Sequence, residues 1–194
     1  MIRAAVAVGL GALAALAAVT ACSKSSAQGG STTSASDGVE EVHAPMEPME
    51  AEAWARAVSG VDEDRMRLAD LVGCDSLRER ADVPAQRSTA IRAMSFCTDF
   101  SQLPWLASIA STGRDDEAAD ALDSIVDQAA RTRRPTDAED GQELSAGCQS
   151  LLELARAPRQ PRARRVMAVR ALRMLSDRGC VKRAEIPADL DAKD

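Results

Sequence analysis

Residues 147–180 read GCQSLLELARAPRQPRARRVMAVRALRMLSDRGC, and residues 73–97 read GCDSLRERADVPAQRSTAIRAMSFC. Both begin Gly-Cys, carry apolar residues along a first segment, turn at proline, run through a small-Ile/Val-Arg-Ala-Met/Leu block (Ala90 to Met94, Ala168 to Leu172) and reach a second cysteine. The block sets Ala168, Ala171, Leu172 and Leu175 at i, i+3, i+4 and i+7, and it does the same for Ala90, Ala93, Met94 and Cys97. That spacing is the mark of a helix with one buried face. Pro84, Pro158 and Pro161 end or start helices and cannot continue them. Each stretch therefore predicts an antiparallel helical hairpin.

In such a hairpin the start of the first helix lies beside the end of the second. Four cysteines allow three connectivities, and this geometry selects disulfides Cys74–Cys97 and Cys148–Cys180, each stapling one hairpin. The arms of the second hairpin are unequal in length. Gly179 is expected to fold the chain back so that Cys180 comes within the ~6 Å between α-carbons that a bridge requires.

Working outward, the same stripe recurs as Ala118, Ala121, Leu122 and Ile125, and in weaker form as Ala51, Trp54, Ala55 and Val58. A shorter apolar segment precedes each main stripe: Leu68, Leu71, Val72 and Leu77; then Leu103, Leu106, Ile109 and Ala110; then Leu144, Leu151, Leu152 and Ala155. Breaks at 82–84, 112–114 and 158–161 separate the partners, and Asp115, Asp116 and Glu117 suit the exposed amides of a helix start. Residues 131–143, rich in Arg, Asp and Glu and holding Pro135, read as an inserted loop. No strand-like alternation occurs in 48–190. The predicted fold is all-α, with antiparallel helical hairpins stacked side by side over 48–190.

The Ala-x-x-Ala-Leu cores, with Arg87 and Arg165 just ahead of the first and third, resemble HEAT-repeat solenoids over most of 48–183. The stripes begin 39, 28 and 50 residues apart, against a repeat of roughly 40 in that family. The resemblance implies an α-solenoid with an extended face for binding another protein.

At the other end of the chain, Arg3 precedes an uncharged Ala/Val/Leu run from Ala4 to Val19, followed by Thr20-Ala21-Cys22. A short basic start, an apolar core and small residues before the cut make a signal peptide over 1–21, too short and wrongly flanked for a stable membrane span. Val19-Thr20-Ala21-Cys22 resembles the lipobox of bacterial lipoproteins. That resemblance implies acylation of Cys22, which becomes the first residue of the mature chain, and anchoring to a membrane through lipid. In that family Asp after the cysteine favours retention at the inner membrane, whereas Ser23 and Lys24 follow here, so the outer membrane, facing the periplasm, is the expected address. Residues 22–47 have almost nothing to bury and read as a flexible tether. Export also decides how Cys74, Cys97, Cys148 and Cys180 are read, because an oxidising compartment favours bridges.

Composition excludes several functions. Without the signal peptide the chain carries 23 bases against 30 acids, which argues against nucleic acid as a partner. Trp54, Trp105, Phe96 and Phe100 are its only aromatic residues apart from the single His43, which lies in the tether. No nucleophile elbow, phosphate loop or zinc-binding histidine pair occurs, and the later cysteines stand at least 23 residues apart, which excludes thioredoxin and zinc-knuckle spacings. The acid runs 62–64 and 115–117 sit at helix starts, where capping explains them. No catalytic residue, metal or cofactor is expected.

Charge is nevertheless segregated. Residues 150–183 hold ten bases and two acids, while 37–75 hold eleven acids and three bases. Arg162, Arg170 and Arg173 fall opposite the Ala168/Leu172/Leu175 stripe and form the candidate anion- or partner-binding ridge; the bland alternative is that acids such as those of 137–143 neutralise it. The sequence thus points to a non-catalytic, lipid-anchored envelope module that docks an envelope protein. Two alternatives stay open: an enzyme or enzyme subunit using carboxylates at hairpin ends, and a purely structural envelope protein that self-associates. The oligomeric state is left open.

Overall fold

The computed structural model describes residues 46–132 and 134–190. The predicted signal peptide, the lipid-attachment candidate Cys22, His43 and most of the predicted tether lie outside the described residues. Among the described residues the fold is all-helical, with eight α-helices and no strand.

Helix α1 (Pro48–Ser59) starts on a proline, whose missing N–H costs nothing there, and buries Trp54 and Ala57. Helix α2 (Asp62–Val72) opens on Asp62, Glu63 and Asp64, which complement its exposed amides, and stops at Gly73, whose φ of 78° few other residues adopt. Helix α3 (Cys74–Arg80) and helix α4 (Arg87–Ala93) flank the Pro84 turn, and α4 tightens into a 3₁₀ turn (Met94–Phe96) that delivers Cys97. Helix α5 (Leu103–Thr112) and helix α6 (Asp115–Arg131) are joined at Gly113-Arg114, where the Glu117 carboxylate accepts from the Arg114 backbone N–H at 3.4 Å and from its guanidinium at 3.2 Å. Helix α7 (Ala138–Arg156) and helix α8 (Arg162–Ser176) meet across the Pro158–Pro161 turn.

The three main stripes are buried throughout: Ala90, Ala93, Met94 and Cys97 in the first, Ala118, Ala121, Leu122 and Ile125 in the second, and Ala168, Ala171, Leu172 and Leu175 in the third. Helix α5 lies against α6 and α7, α6 lies against α4 and α8, and α7 lies against α8. Helices α1 and α2 pair and rest on α4. Small alanines set the helices close, and each buried Leu, Ile or Phe between them contributes about 1.5–3 kcal/mol over its exposed state. The closest approach is at Gly147 in α7, where a β-carbon would stand 2.5 Å from Leu103 Cγ of α5.

Three expectations are corrected. The segment 131–143 is not one inserted loop, because α6 runs to Arg131 and α7 begins at Ala138. Asp137 caps α7 by accepting the Asp140 N–H at 2.9 Å, and Glu139 and Asp140 stand in that helix's first turn. The weak first stripe is out of register: Trp54 and Ala57 are buried, while Ala51, Ala55 and Val58 face outward. Glu50 explains this, since it accepts the Trp54 indole N–H at 3.2 Å and pairs with Arg80 at 3.3 Å, turning that side of α1 inward. The apolar segment from Leu68 to Leu77 is two helices, broken at Gly73, and Leu71 is left exposed.

Polar side chains close the helix ends of their neighbours. Asp140, itself buried, accepts the Phe100 N–H on one oxygen and the Thr136 N–H at 2.8 Å on the other, pinning the start of α7 to the loop before α5. Gln160 donates to Ser111 O at 2.9 Å and Arg164 to Gly113 O at 3.0 Å, satisfying carbonyls at the end of α5. Arg178 does the same for α6 by donating to Thr132 O at 2.8 Å and to Ala129 O.

Candidate functional site

The four later cysteines form two disulfides, Cys74–Cys97 with α-carbons 6.0 Å apart and Cys148–Cys180 with α-carbons 5.6 Å apart. The first joins the start of α3 to the turn after α4. The second joins the middle of α7 to the segment after α8, and the chain reaches it through Gly179 at a φ of 88°, the fold-back that the unequal arms require. Both are structural: Cys97 and Cys148 are buried.

The three arginines singled out on α8 do not share one environment. Arg162 and Arg170 are exposed, whereas Arg173 is half-buried and already engaged. Arg170 faces α6 closely enough to act on the Asp123 carboxylate. Other bases of the same stretch turn inward: Arg164 pairs with Asp115 at 2.6 Å, and Arg165 donates to Ala155 O at 3.0 Å. Arg156 donates to Glu185 O at 2.7 Å, which lays the 3₁₀ turn Arg183–Glu185 beside the end of α7. Arg159, Arg162, Lys182 and Arg183 are all exposed, with Lys182 and Arg183 sharing a surface cleft with Ser176 and Asp177 at the opposite end of α8 from Arg162. The exposed cations of this stretch are therefore spread over the α7–α8 pair and the segment after it rather than set in one line along α8.

Carboxylates converge elsewhere. Asp62 of α2, Arg92 and Ser95 beside α4, and Asp120, Asp123 and Asp127 of α6 line a polar cleft of about 220 Å³. Asp120 is matched by Arg92 at 2.8 Å and by the Ser88 hydroxyl at 2.6 Å, and Asp62 by Arg65 at 3.2 Å. Partial burial holds the Asp123 carboxyl above its ordinary value, and the neighbouring charges of Asp127 and Asp120 add to this, with Arg170 and Arg92 acting against them. Among the described residues no group of His, Cys, Asp and Glu is arranged to hold a metal ion.

A third surface carries no sequence motif. Among the described residues, the large apolar side chains that stand exposed, Met49, Val58, Val61, Met66 and Leu71, all lie on α1, α2 and the turn between them. Met49, at 67% exposure, and Leu71, at 42%, line with Ala53 a groove of about 380 Å³ between the two helices. Glu52, Arg56, Asp64 and Arg67 rim it, and Glu52 holds Arg56 at 2.5 Å. Val58 and Val61 flank the turn, and Met66 lines a second cleft with Phe96, over which Arg131 stacks at 4.1 Å. Sequence reading placed Leu71 in the core and missed the groove. The one signal available was Met49, which falls off the 3.6-residue register of Trp54 and Ala57, whereas Leu71 sits three residues from Leu68 and gave none. No described helix is long and apolar enough to cross a membrane.

The chain matches no protein-family model, no curated protein and no solved structure.

Proposed function

We propose that the chain is an exported bacterial lipoprotein, anchored through acylated Cys22, whose helical domain is a non-catalytic docking and scaffold module of the cell envelope. The observation that carries the docking reading is the gathering of exposed apolar side chains on α1 and α2, with the Met49/Ala53/Leu71 groove at its centre. Burying such side chains against a partner is favourable, and a shallow groove between helices suits a protein surface better than turnover of a small substrate.

Two disulfides in a domain with few large aromatic residues support delivery to an oxidising compartment. A HEAT-like stack is supported by the packing of α5 on α7 beside α4, α6 and α8. It is supported as well by one role repeated in two hairpins: Arg87 donates to Ala81 O at 3.0 Å beyond α3, as Arg165 does to Ala155 O near the end of α7. Ser23 and Lys24 favour the outer membrane, facing the periplasm.

Two measurements test this reading. Cys22→Ser is expected to abolish acyl labelling and to move the chain from the membrane to the soluble fraction. A photo-crosslinker at position 49 or 71, used in native cells, is expected to capture a discrete envelope protein; capture of none removes the docking reading.

A second reading, an enzyme subunit using carboxylates, is favoured by one observation: Asp62 and the Asp123/Asp127 pair reach the same cleft from different helix pairs. The two readings separate in a deletion strain. Asp123→Asn with Asp127→Asn restores function if the groove matters, and Met49→Asp with Leu71→Asp restores it if the carboxylates matter.

A further inference from the structure

Sulfur is the side-chain element that peroxides oxidise most readily, as a thiolate first and as a thioether next. The four cysteines of the described residues are joined in two disulfides and offer no thiol. What remains is the thioether of methionine, and its accessibility is uneven. Met94 is fully buried, and Met46, Met167 and Met174 are half-buried against the core. The Met46 sulfur also accepts from Gln86 Nε2 at 3.9 Å. Met49 and Met66 stand apart at 67% and 43% exposure, open to a small reagent dissolved in the surrounding water.

Both belong to the face formed by α1 and α2. Met49 lines the groove with Ala53 and Leu71, and Met66 lines the neighbouring cleft with Phe96 and Cys97. An unbranched, polarisable thioether suits a binding surface because it adapts to the shape of what covers it. The same sulfur makes that surface sensitive. A sulfoxide is polar and chiral, so a partner covering it must strip water from a strong dipole. Arg56 and Arg67 on the groove rim are donors for the new oxygen, which gives the oxidised side chain a polar contact in place of the apolar one.

We propose that Met49 and Met66 are oxidation sites through which hydrogen peroxide releases whatever is docked on the α1–α2 face. The inference rests on the docking reading of that face and supplies its regulation. The thioether lone pair attacks one peroxide oxygen, and the S–O bond forms as the O–O bond breaks. The hydroxide released takes the remaining hydroxyl proton and leaves as water, so sulfur loses two electrons and the peroxide gains two. A docked partner shields the sulfur, so docking and oxidation oppose one another. Reduction by a methionine sulfoxide reductase restores the apolar face.

The test begins with the full chain purified in detergent micelles, treated with hydrogen peroxide and mapped by peptide mass spectrometry as the reaction proceeds. Sulfoxide is expected at Met49 first and Met66 next, with Met46, Met167 and Met174 slower and Met94 reacting only once urea unfolds the domain. Met167 or Met174 reacting as fast as Met49 overturns the assignment of the sites. In a second arm a photo-crosslinker at position 71 is irradiated in native cells with and without prior peroxide. Capture by the parent is expected to fall about tenfold after peroxide, the size of effect that follows from losing one buried apolar side chain. Met49→Leu with Met66→Leu keeps the apolar volume without the sulfur and is expected to capture equally in both conditions, while Met49→Gln with Met66→Gln should capture weakly even without peroxide. Circular dichroism establishes that each variant is folded. An equal loss by the parent and the leucine variant overturns the switch, because the oxidised target then lies elsewhere. Failure of the docking reading looks different: the untreated parent captures nothing, which sinks the switch together with docking, while the order of oxidation still decides the sites.

Discussion

Removing the two disulfides tests the framework that holds this small-cored domain together. Cys74–Cys97 and Cys148–Cys180 close loops of 23 and 32 residues that do not overlap in sequence. On the chain-entropy treatment these loops stabilise by about 3.4 and about 3.7 kcal/mol at 25 °C. The bridges sit in different hairpins, so their effects should add to about 7 kcal/mol. Native domains are stable by only about 5–15 kcal/mol, and loss of both bridges would leave little. The assay is equilibrium urea unfolding, followed by far-ultraviolet circular dichroism, of the parent, each Cys→Ala pair and the variant lacking all four cysteines. The parent in a phosphine reductant supplies an independent check. Midpoints should fall in that order, and the urea dependence should steepen as the unfolded chain loses its cross-links and exposes more surface. A four-alanine variant within about 1 kcal/mol of the parent would refute the reasoning, since it would deny the loops the entropic role assigned to them.

Other perturbations follow from single contacts. Asp140→Ala strips the acceptor from the Phe100 and Thr136 N–H groups and should cost about 3 kcal/mol, with Asp140→Asn recovering only part because its amide accepts on one side; equal stability of parent and Ala variant in urea would disprove the anchor. Gly147→Ala should destabilise by about 1 kcal/mol, the clash with Leu103 exceeding the gain in helix propensity, and a double-mutant cycle with Leu103→Ala should show the two coupled. Asp123 has a folded-state pKa above its unfolded one, so it favours the fold when protonated and gives that up as pH rises through the folded value. Asp123→Asn should therefore stabilise by roughly 0.5 kcal/mol at neutral pH, discounted for exposure, and the gain should vanish on acidification below the ordinary carboxylate range; urea midpoints at both pH values read it out.

The hairpins were legible because their signals are local and redundant. The stripe of Ala168, Ala171, Leu172 and Leu175 states which face is buried, proline states where the helix cannot run, and unequal arms leave Gly179 as the residue able to turn back toward Cys148. What was illegible depends on neighbours that periodicity does not reveal. The same dipeptide, Gly-Cys, opens both quoted stretches, yet Gly73 ends a helix with a φ of 78° and Gly147 lies within one, against Leu103. Leu71 matches a core pattern, but its helix belongs to an end pair with no outer neighbour, so the residue stays exposed. The run 131–143 reads as a loop because its charged residues leave little to bury and Pro135 cannot continue a helix. Asp137 and Asp140 are polar for another reason, since they make the hydrogen bonds that start α7.

The candidate site was harder to read for a reason specific to arginine. Counting charges along 150–183 treats every guanidinium as surface, whereas a helical stack exposes carbonyls at each helix end that arginine is well shaped to meet. Arg164, Arg165 and Arg178 turn to such carbonyls, and Arg156 reaches that of Glu185. Changing Arg162, Arg170 and Arg173 together would thus mix the exposed Arg162 with Arg173, half-buried and engaged, and with Arg170, which acts on Asp123. A loss of partner capture in that variant would not separate surface charge from α8 packing. Substitution at Arg159 and Arg162, which stand exposed and without ion pairs among the described residues, changes the surface while leaving α8 seated on α6, and its effect on partner capture should therefore follow ionic strength.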